Sequence, residues 1–155
     1  MGQKITLLCV GKLRTSWIAE GCAEYQQRLR GSMSLMIYAL PFSKFREERQ
    51  QRDDESGRLL ETARKFGGEM WVLDETGKGM TSRMFTSAVG AARDRGTSIT
   101  VVLGGAYGLT DPVRASATRV LKLSDMTFPH ELCRLVFLEQ LYRASEILKG
   151  SGYHH

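Results

Sequence analysis

The sequence has few cysteines and no long apolar run. Cys9, Cys22 and Cys133 are its three cysteines. The odd number and the lack of a CxxC pair argue against a disulfide framework and a structural zinc site, and free thiols fit a reducing cytoplasm. No apolar stretch reaches the roughly 20 residues that span a bilayer, and residues 1–10 are too short and lack a cleavage pattern for a signal peptide. We therefore expect a cytoplasmic protein without a membrane anchor.

The composition is that of an ordinary globular protein. The 155 residues are 42% hydrophobic and 25% charged, which predicts one domain over residues 1–155 with a single adequate core. The net charge is +5. A positive excess is compatible with a polyanionic partner, because each Lys or Arg that neutralises a phosphate releases counterions. This excess alone does not distinguish a nucleic-acid-binding protein from other basic proteins.

Short apolar runs alternate with helical patterns along the chain. The runs are near-continuous in apolar residues, which is typical of strands covered on both faces. This order predicts an α/β domain with a mainly parallel sheet, helices on both faces and right-handed crossovers. The predicted strands are Ile5–Val10, Leu35–Leu40, Met70–Leu73, Ile99–Leu103 and Val120–Leu123.

Caps, glycines and prolines delimit the helical patterns. A balanced run of seven basic and six acidic residues over 44–65 predicts a solvated helix face rather than a nucleic-acid-binding arm. The predicted helices begin after Thr15 or Ser16, cover Asp53–Phe66, begin after Thr81 or Ser82 and end at Gly96, start at Pro112, and run from near Pro129 to about Lys149.

Three loops follow predicted strands, at the sheet edge where open α/β folds bind ligands. They are residues 73–79, 103–109 and 123–130. The second loop holds Gly104, Gly105 and Gly108, which would allow a close backbone approach to a ligand. Neither the dinucleotide fingerprint nor the Walker phosphate-binding pattern is present. A tight structural turn therefore explains these glycines nearly as well as a binding loop.

Ionisable side chains occur in the same loops. Asp74, Glu75 and Asp125 could act as acids or bases, but loop capping and solvation are the simpler interpretation. His130 stands at a predicted helix start within the third loop, where a structural and a functional role are equally open. His154 is near the chain end, where frayed tails are common.

Four sequence blocks, taken in order along the chain, carry a resemblance to a known protein family, and this resemblance extends over the whole chain. The sequence resembles the RlmH family, whose members are pseudouridine N3-methyltransferases of large-subunit ribosomal RNA. A single Gly-Gly pair would not be specific, but the ordered set is. The blocks are Leu103–Leu109 (LGGAYGL), Leu123–His130 (LSDMTFPH), Leu138–Arg143 (LEQLYR) and Tyr153-His154.

The resemblance implies a SPOUT-class fold with a C-terminal trefoil knot. It also implies S-adenosylmethionine as methyl donor, held without a metal by the three loops. Glycines would give room, backbone groups of the third loop would bond the adenine edge, and apolar side chains would form walls. The implied cofactor-binding residues are Leu73, Gly104, Gly105, Leu123, Ser124, Asp125, Met126, Thr127 and Phe128.

The resemblance further implies a homodimer whose active site is completed by both subunits. The C-terminal tail would reach the cofactor pocket of the partner, which makes His130, Tyr153 and His154 the candidate catalytic residues. The implied partner is ribosomal RNA, in the large subunit or the assembled ribosome. Family members usually end in Lys or Arg after the Tyr-His pair, whereas this chain ends in His155. Candidate phosphate contacts are Lys12, Arg14, Arg30 and Arg134.

Three alternative functions fit parts of the sequence. A dinucleotide- or flavin-binding oxidoreductase would share the fold class, but the missing fingerprint argues against it. A non-catalytic RNA-binding module would fit the charge excess. A knotted methyltransferase that modifies another acceptor, such as transfer RNA, is disfavoured only by the close motif match.

Overall fold

The sheet of this protein has five strands that pair only in parallel. The computed structural model describes residues 2–154, so His155 lies outside the described residues. The strand order across the sheet is β2-β1-β4-β3-β5, and the predicted α/β class is confirmed. The strands are β1 (Gln3–Val10), β2 (Met33–Leu40), β3 (Glu69–Gly79), β4 (Ile99–Leu103) and β5 (Arg119–Lys122).

Helices cover both faces of this sheet and form two apolar layers. Alternate residues of β1 supply the two layers: Leu7 faces the layer that holds α1, α3 and α5, whereas Leu8 faces α2 and α4. Both leucines are fully buried, and each such side chain stabilises the fold by about 1.5–3 kcal/mol. The helices are α1 (Ser16–Leu29), α2 (Glu48–Phe66), α3 (Ser82–Asp94), α4 (Asp111–Ala115) and α5 (His130–Lys149).

Two elements extend by five or more residues beyond their predicted ranges, whereas β1, β2 and β5 begin only one or two residues early. Helix α2 begins at Glu48 rather than at Asp53, because its first turn is polar and carries no apolar spacing that would reveal it. Strand β3 continues to Gly79, since Lys78 and Gly79 pair with Leu121 and Lys122 of β5. That pairing depends on a segment over 40 residues away, and no local pattern contains it.

The start of α1 is capped from a distance. Thr15 occupies the N-cap position, but its side chain accepts no capping hydrogen bond, so the predicted cap is wrong in its chemistry. Instead, Oε1 of Glu131 on α5 accepts the backbone N–H groups of Arg14 at 2.9 Å and Thr15 at 3.1 Å. These two hydrogen bonds hold the pKa of the Glu131 carboxyl below its usual range, with the Thr15 bond contributing most.

The charged run over 44–65 is mostly a solvated face, as predicted, with two polar exceptions. Glu55 and Ser56 of α2 are buried, at 4% and 1% exposure. Their side chains point toward the loops at the carboxyl edge of the sheet. None of the helices within residues 2–154 is apolar over a length sufficient to span a bilayer.

Candidate functional site

A cavity of about 320 Å³ opens at the carboxyl edge of the sheet, between residues 73–75 of β3, where its register with β5 shifts, and the loops that follow β4 and β5. Each loop contributes both side chains and backbone to its wall. Of the nine residues predicted to bind a cofactor, seven line this cavity: Leu73, Gly104, Leu123, Ser124, Met126, Thr127 and Phe128.

The other two predicted cofactor residues lie off the cavity wall. A Cβ atom on Gly105 would stand 2.6 Å from Oε1 of the buried Glu55, so this glycine faces α2. Asp125 is exposed, and its carboxylate lies 2.5 Å from Nζ of Lys122. The hydrogen bond from that ammonium group lowers the pKa of Asp125. Their role in cofactor binding stays a prediction.

The glycine loop after β4 is a tight turn as well as a cavity wall. Gly108 adopts a positive φ of 78° and donates its N–H to the carbonyl of Gly105 at 3.2 Å. A Cβ atom on Gly104 would stand 2.9 Å from Cγ of Leu109 and 3.1 Å from the carbonyl oxygen of Gly108. A side chain at position 104 would therefore force the turn open.

Two side chains of helix α2 contact this glycine loop. The hydroxyl of Ser56 accepts the N–H of Thr110 at 3.1 Å. Glu55 lies beneath Gly105 with one carboxylate oxygen, while its other oxygen accepts the N–H of Ser43 at 2.9 Å. Sequence reasoning missed both residues, because nothing in a polar, charge-balanced helix marks which of its residues turns inward.

The third loop forms the most exposed wall of the cavity. The hydroxyl of Ser124 accepts the N–H of Met126 at 2.9 Å and shapes the turn. The side chain of Met126 is 77% exposed although it borders the cavity. Cys133, on the first turns of α5, also lines the cavity, and burial raises the pKa of its thiol. The wall thus combines apolar side chains with polar groups, of which the Ser124 hydroxyl is engaged in the turn.

The carboxylate of Asp74 caps its own loop, as the simpler interpretation predicts. It accepts the N–H of Thr76 at 3.1 Å and the hydroxyl of the same residue. Arg114 donates to it at 3.5 Å. Among residues 2–154, no cluster of three or more His, Cys, Asp or Glu side chains is arranged to hold a metal ion.

The three predicted catalytic residues do not meet within one subunit. His130 lines the cavity at the first residue of α5. Tyr153 packs edge-on against Tyr142, with ring centroids 5.0 Å apart. Nδ1 of His154 lies 3.1 Å from Nη1 of Arg143. Because α5 rises 1.5 Å per residue, the position of Arg143 is about 20 Å along the axis from His130.

The tail is held to α5 by the turn that ends the helix. Gly150 adopts the left-handed conformation at the C-cap, with φ 72° and ψ 31°. The chain then folds back, so that the Arg143 guanidinium lies 5.0 Å from the Tyr153 ring centroid. A guanidinium only donates, so Nδ1 of His154 is the acceptor when these two groups form a hydrogen bond.

Two of the four candidate phosphate contacts are wrongly placed for a ligand at this edge. Arg134 is only 4% exposed, and its Nη2 donates to the carbonyls of Val10 at 3.2 Å and Gly11 at 3.0 Å. Its spacing from Phe137 and Leu141 puts it on the apolar face of α5, a signal that the sequence did contain. Arg30 follows the C-terminus of α1, at the opposite edge of the sheet.

Comparison with known proteins agrees with this geometry. A family model described as predicted SPOUT methyltransferase matches residues 3–154. The curated Ribosomal RNA large subunit methyltransferase H of Geobacter sp. strain M21 is 39% identical, with 98% of this chain and 99% of that protein covered. Its namesake from Nitratidesulfovibrio vulgaris is 40% identical, with 99% of each chain covered.

Solved structures at low sequence identity share the fold. A methylase family protein from Neisseria gonorrhoeae has a TM-score of 0.59 at 12% identity, over 91% of this chain and 82% of its own. One from Haemophilus influenzae has a TM-score of 0.55 at 13% identity, over 97% and 68%. With the full-length sequence matches, the α/β architecture and the cavity at its carboxyl edge, the chain belongs to the SPOUT methyltransferase family.

Proposed function

We propose that this protein transfers the methyl group of S-adenosylmethionine to N3 of a pseudouridine in large-subunit ribosomal RNA. The observation that carries the proposal is the cavity at the carboxyl edge, built from the loops in which the sequence resembles the RlmH family. The full-length relatives named as methyltransferases of the large ribosomal subunit support the same substrate. A cytoplasmic location follows from that substrate.

The residues present fit the proposed methyl donor. A volume of about 320 Å³ lies within the range of small-molecule pockets. Leu73, Met126 and Phe128 supply apolar surface for an adenine ring, and Gly104 leaves its backbone open to the ligand. When bound, the donor supplies an activated methyl group on a sulfonium. The large exposure of Met126 is what a wall residue would show before a ligand or partner covers it.

We also propose that the chain forms the trefoil knot of this class. Leu121 of β5 pairs with Leu73 and again with Lys78, so β3 passes the same residue twice. The register therefore shifts between Leu73 and Lys78, so residues 74–77 form an irregular segment beside β5. A Cβ atom on Gly77 would lie 2.6–2.8 Å from the Leu121 backbone, so this segment packs closely against β5, which supports the proposal.

The active site is proposed to need two copies of the chain. His130 borders the cavity, whereas Tyr153 and His154 pack about 20 Å farther along α5. We propose a closed two-fold dimer in which the tail of each subunit lies at the cavity of the other, since contacts in such interfaces are reciprocal. Both cavities would then be completed in the same way.

Residues of the protein would position the target nucleobase and remove the proton from its N3 atom. The target base leaves its stack to enter the site, and its N3 must come within roughly 3–3.5 Å of the methyl carbon. Since N3 carries a proton, His130 or His154 acts as the general base. Tyr153 stacks on the extruded base, a contact worth about 1–3 kcal/mol.

Transfer of labelled methyl groups to ribosomes tests this proposal. The substrate is ribosomes from a strain that lacks the gene for this protein, and digestion followed by mass spectrometry identifies the modified nucleoside. We expect one methyl group per large subunit, on pseudouridine. Transfer to transfer RNA instead, or no binding of S-adenosylmethionine by calorimetry, would contradict the proposal.

A further inference from the structure

A group of basic and aromatic side chains occupies the same sheet edge as the cavity, on the loops that follow β1 and β2. Because all five strands are parallel, their carboxyl ends meet at this edge. Phe42 is 37% exposed and Phe45 is 50% exposed, and the four cations are exposed as well. We name this group the basic–aromatic face: Lys12, Arg14, Phe42, Lys44, Phe45 and Arg46.

The cations of this face form no ion pair among the residues that the structure describes. In the part of the chain that the structure describes, no carboxylate lies within 4.0 Å of the charged groups of Lys12, Arg14, Lys44 or Arg46. The nearby Glu131 is turned to backbone N–H groups instead. Four unpaired cations on two adjacent loops attract a polyanion.

Aromatic packing orders the face. Gly11 has a positive φ of 76°, and a Cβ atom there would collide with the ring of Phe42. The guanidinium of Arg14 lies over the same ring, 4.7 Å from its centroid. Phe42 therefore holds Arg14 in place, whereas the half-exposed ring of Phe45 remains open for a planar partner.

Hydrogen bonds also fix the loop that carries Phe45. Its N–H donates to the hydroxyl of Ser43 at 3.2 Å, and its carbonyl accepts from Nε2 of Gln51 at 2.7 Å. The N–H of Ser43 donates to the buried Glu55 at 2.9 Å. A loop held at these three points presents its side chains at little further cost in conformational entropy.

The same glutamate joins the face to the cavity. One oxygen of Glu55 holds Ser43, and the other lies beneath Gly105 of the glycine loop. In the sheet order, β1 separates β2 from β4, so the two loops are about 10 Å apart. A ligand that spans this distance would contact the face and the cavity together.

We propose that the basic–aromatic face binds a single-stranded segment of the RNA substrate next to the target nucleotide. Arg14 and Lys44 neutralise phosphates, and Phe45 stacks on an unpaired base. Single strands are bound in this way, by a basic surface that follows the backbone and by aromatic rings that accept any base. The inference rests on the proposed function, and it assigns the substrate contact to loops that the cavity does not include.

Binding of a fluorescein-labelled oligouridylate, 12 nucleotides long, measures the contact at several salt concentrations. The full-length Arg14→Ala/Lys44→Ala variant should lower the slope of log affinity against log salt by about 1.4, at about 0.7 for each lost phosphate. Phe45→Ala should weaken binding by about fivefold or more and leave the slope unchanged. Unaltered calorimetric affinity for S-adenosylmethionine would verify that each variant is folded.

Arg30→Ala/Arg64→Ala is the matched control, since it removes two exposed charges at the opposite edge of the sheet. It should leave the salt slope as in the wild-type protein. An equal loss of slope in the control, or none in the test variant, overturns the inference. A test variant that alters only self-association in sedimentation also overturns it, because the face would then bind a second copy. If the wild-type protein fails to methylate ribosomes, the proposed function fails whatever the slopes are.

Discussion

The two ends of α5 differ in what they contact. The first residue, His130, borders the cavity, and the neighbouring Glu131 ties α5 to the start of α1. The last turns carry no part of the cavity wall, and hold the folded-back tail against Tyr142 and Arg143. One helix thus presents an ionisable ring at each end, about 20 Å apart, and a rigid helix cannot bring them together.

Removal of the ionisable ring at either end should have the largest effect. The variant that loses the general base, His130→Ala or His154→Ala, should show a kcat reduced by about 10²–10⁴-fold. Single-turnover methyl transfer to ribosomes is the measurement, with calorimetry to check that the methyl donor still binds. Wild-type rates in both variants would exclude acid–base catalysis by these residues.

Mixing the two variants tests whether His130 of one subunit and His154 of the other form one active site. In a 1:1 mixture of His130→Ala and His154→Ala, half the dimers would contain one site with both rings intact. Where both variants are inactive alone, activity should recover to about a quarter of the wild-type value if subunits exchange at random. A mixture that stays as inactive as its components would mean that each subunit uses its own tail.

A side chain at position 104 should impair cofactor binding at the cavity and leave the far end of α5 unchanged. Gly104→Val places a branched side chain against Leu109 and the carbonyl of Gly108. Such overpacking costs about 1–3 kcal/mol, and where the binding-competent loop bears that cost, the affinity for S-adenosylmethionine by calorimetry should fall by roughly 5- to 150-fold.

The matched control for this variant is Gly57→Ala on α2, where a Cβ atom meets nothing within 4 Å. It should keep the affinity and slightly raise the free energy of unfolding, because alanine favours a helix over glycine. Equal affinity in Gly104→Val and wild type would contradict the location of the cofactor at this loop.

The smallest expected effect concerns the link between α5 and α1. Glu131→Gln removes the charge of the side chain that accepts the backbone N–H groups of Arg14 and Thr15. It should lower the free energy of unfolding by about 0.5–1 kcal/mol at neutral pH. Because the folded-state pKa of Glu131 lies below its usual range, this stabilisation is present above the unfolded pKa of about 4.3 and is lost as the pH falls through the folded pKa. The difference from wild type should therefore shrink in acid.

Urea unfolding at several pH values measures this difference, with the exposed Glu20→Gln as control. A constant gap between wild type and Glu131→Gln down to acid pH would show that the carboxylate charge is not what holds the cap.

The sequence predicted those parts of the fold that depend on local spacing. Apolar runs located all five strands, and Gly150 marked the end of α5. The missing parts depend on distant partners. Lys78 pairs with Leu121, and Glu131 caps a helix that begins more than 100 residues earlier. No pattern within a short window could have revealed either contact.

In the candidate site too, the sequence predicted the features that follow from local patterns and missed those that depend on tertiary packing. The three loops were located because they follow recognisable strands, and seven of the nine predicted cofactor residues line one cavity. Glu55 was missed because a charged residue in a polar helix gives no sign of burial. Arg134 was misassigned although its spacing placed it on the apolar face, since charge was weighted above periodicity.

The two passes of β3 around Leu121 also affect how the chain can be made. During synthesis at about 5–20 residues per second, Lys78 leaves the ribosome roughly 2 to 9 seconds before Leu121 does. Helix formation takes microseconds, so the first three strands and their helices have time to form before β5 arrives. In the proposed knot, the segment over residues 74–79 would stay open, or reopen, until β5 has left the ribosome and can pass beside it.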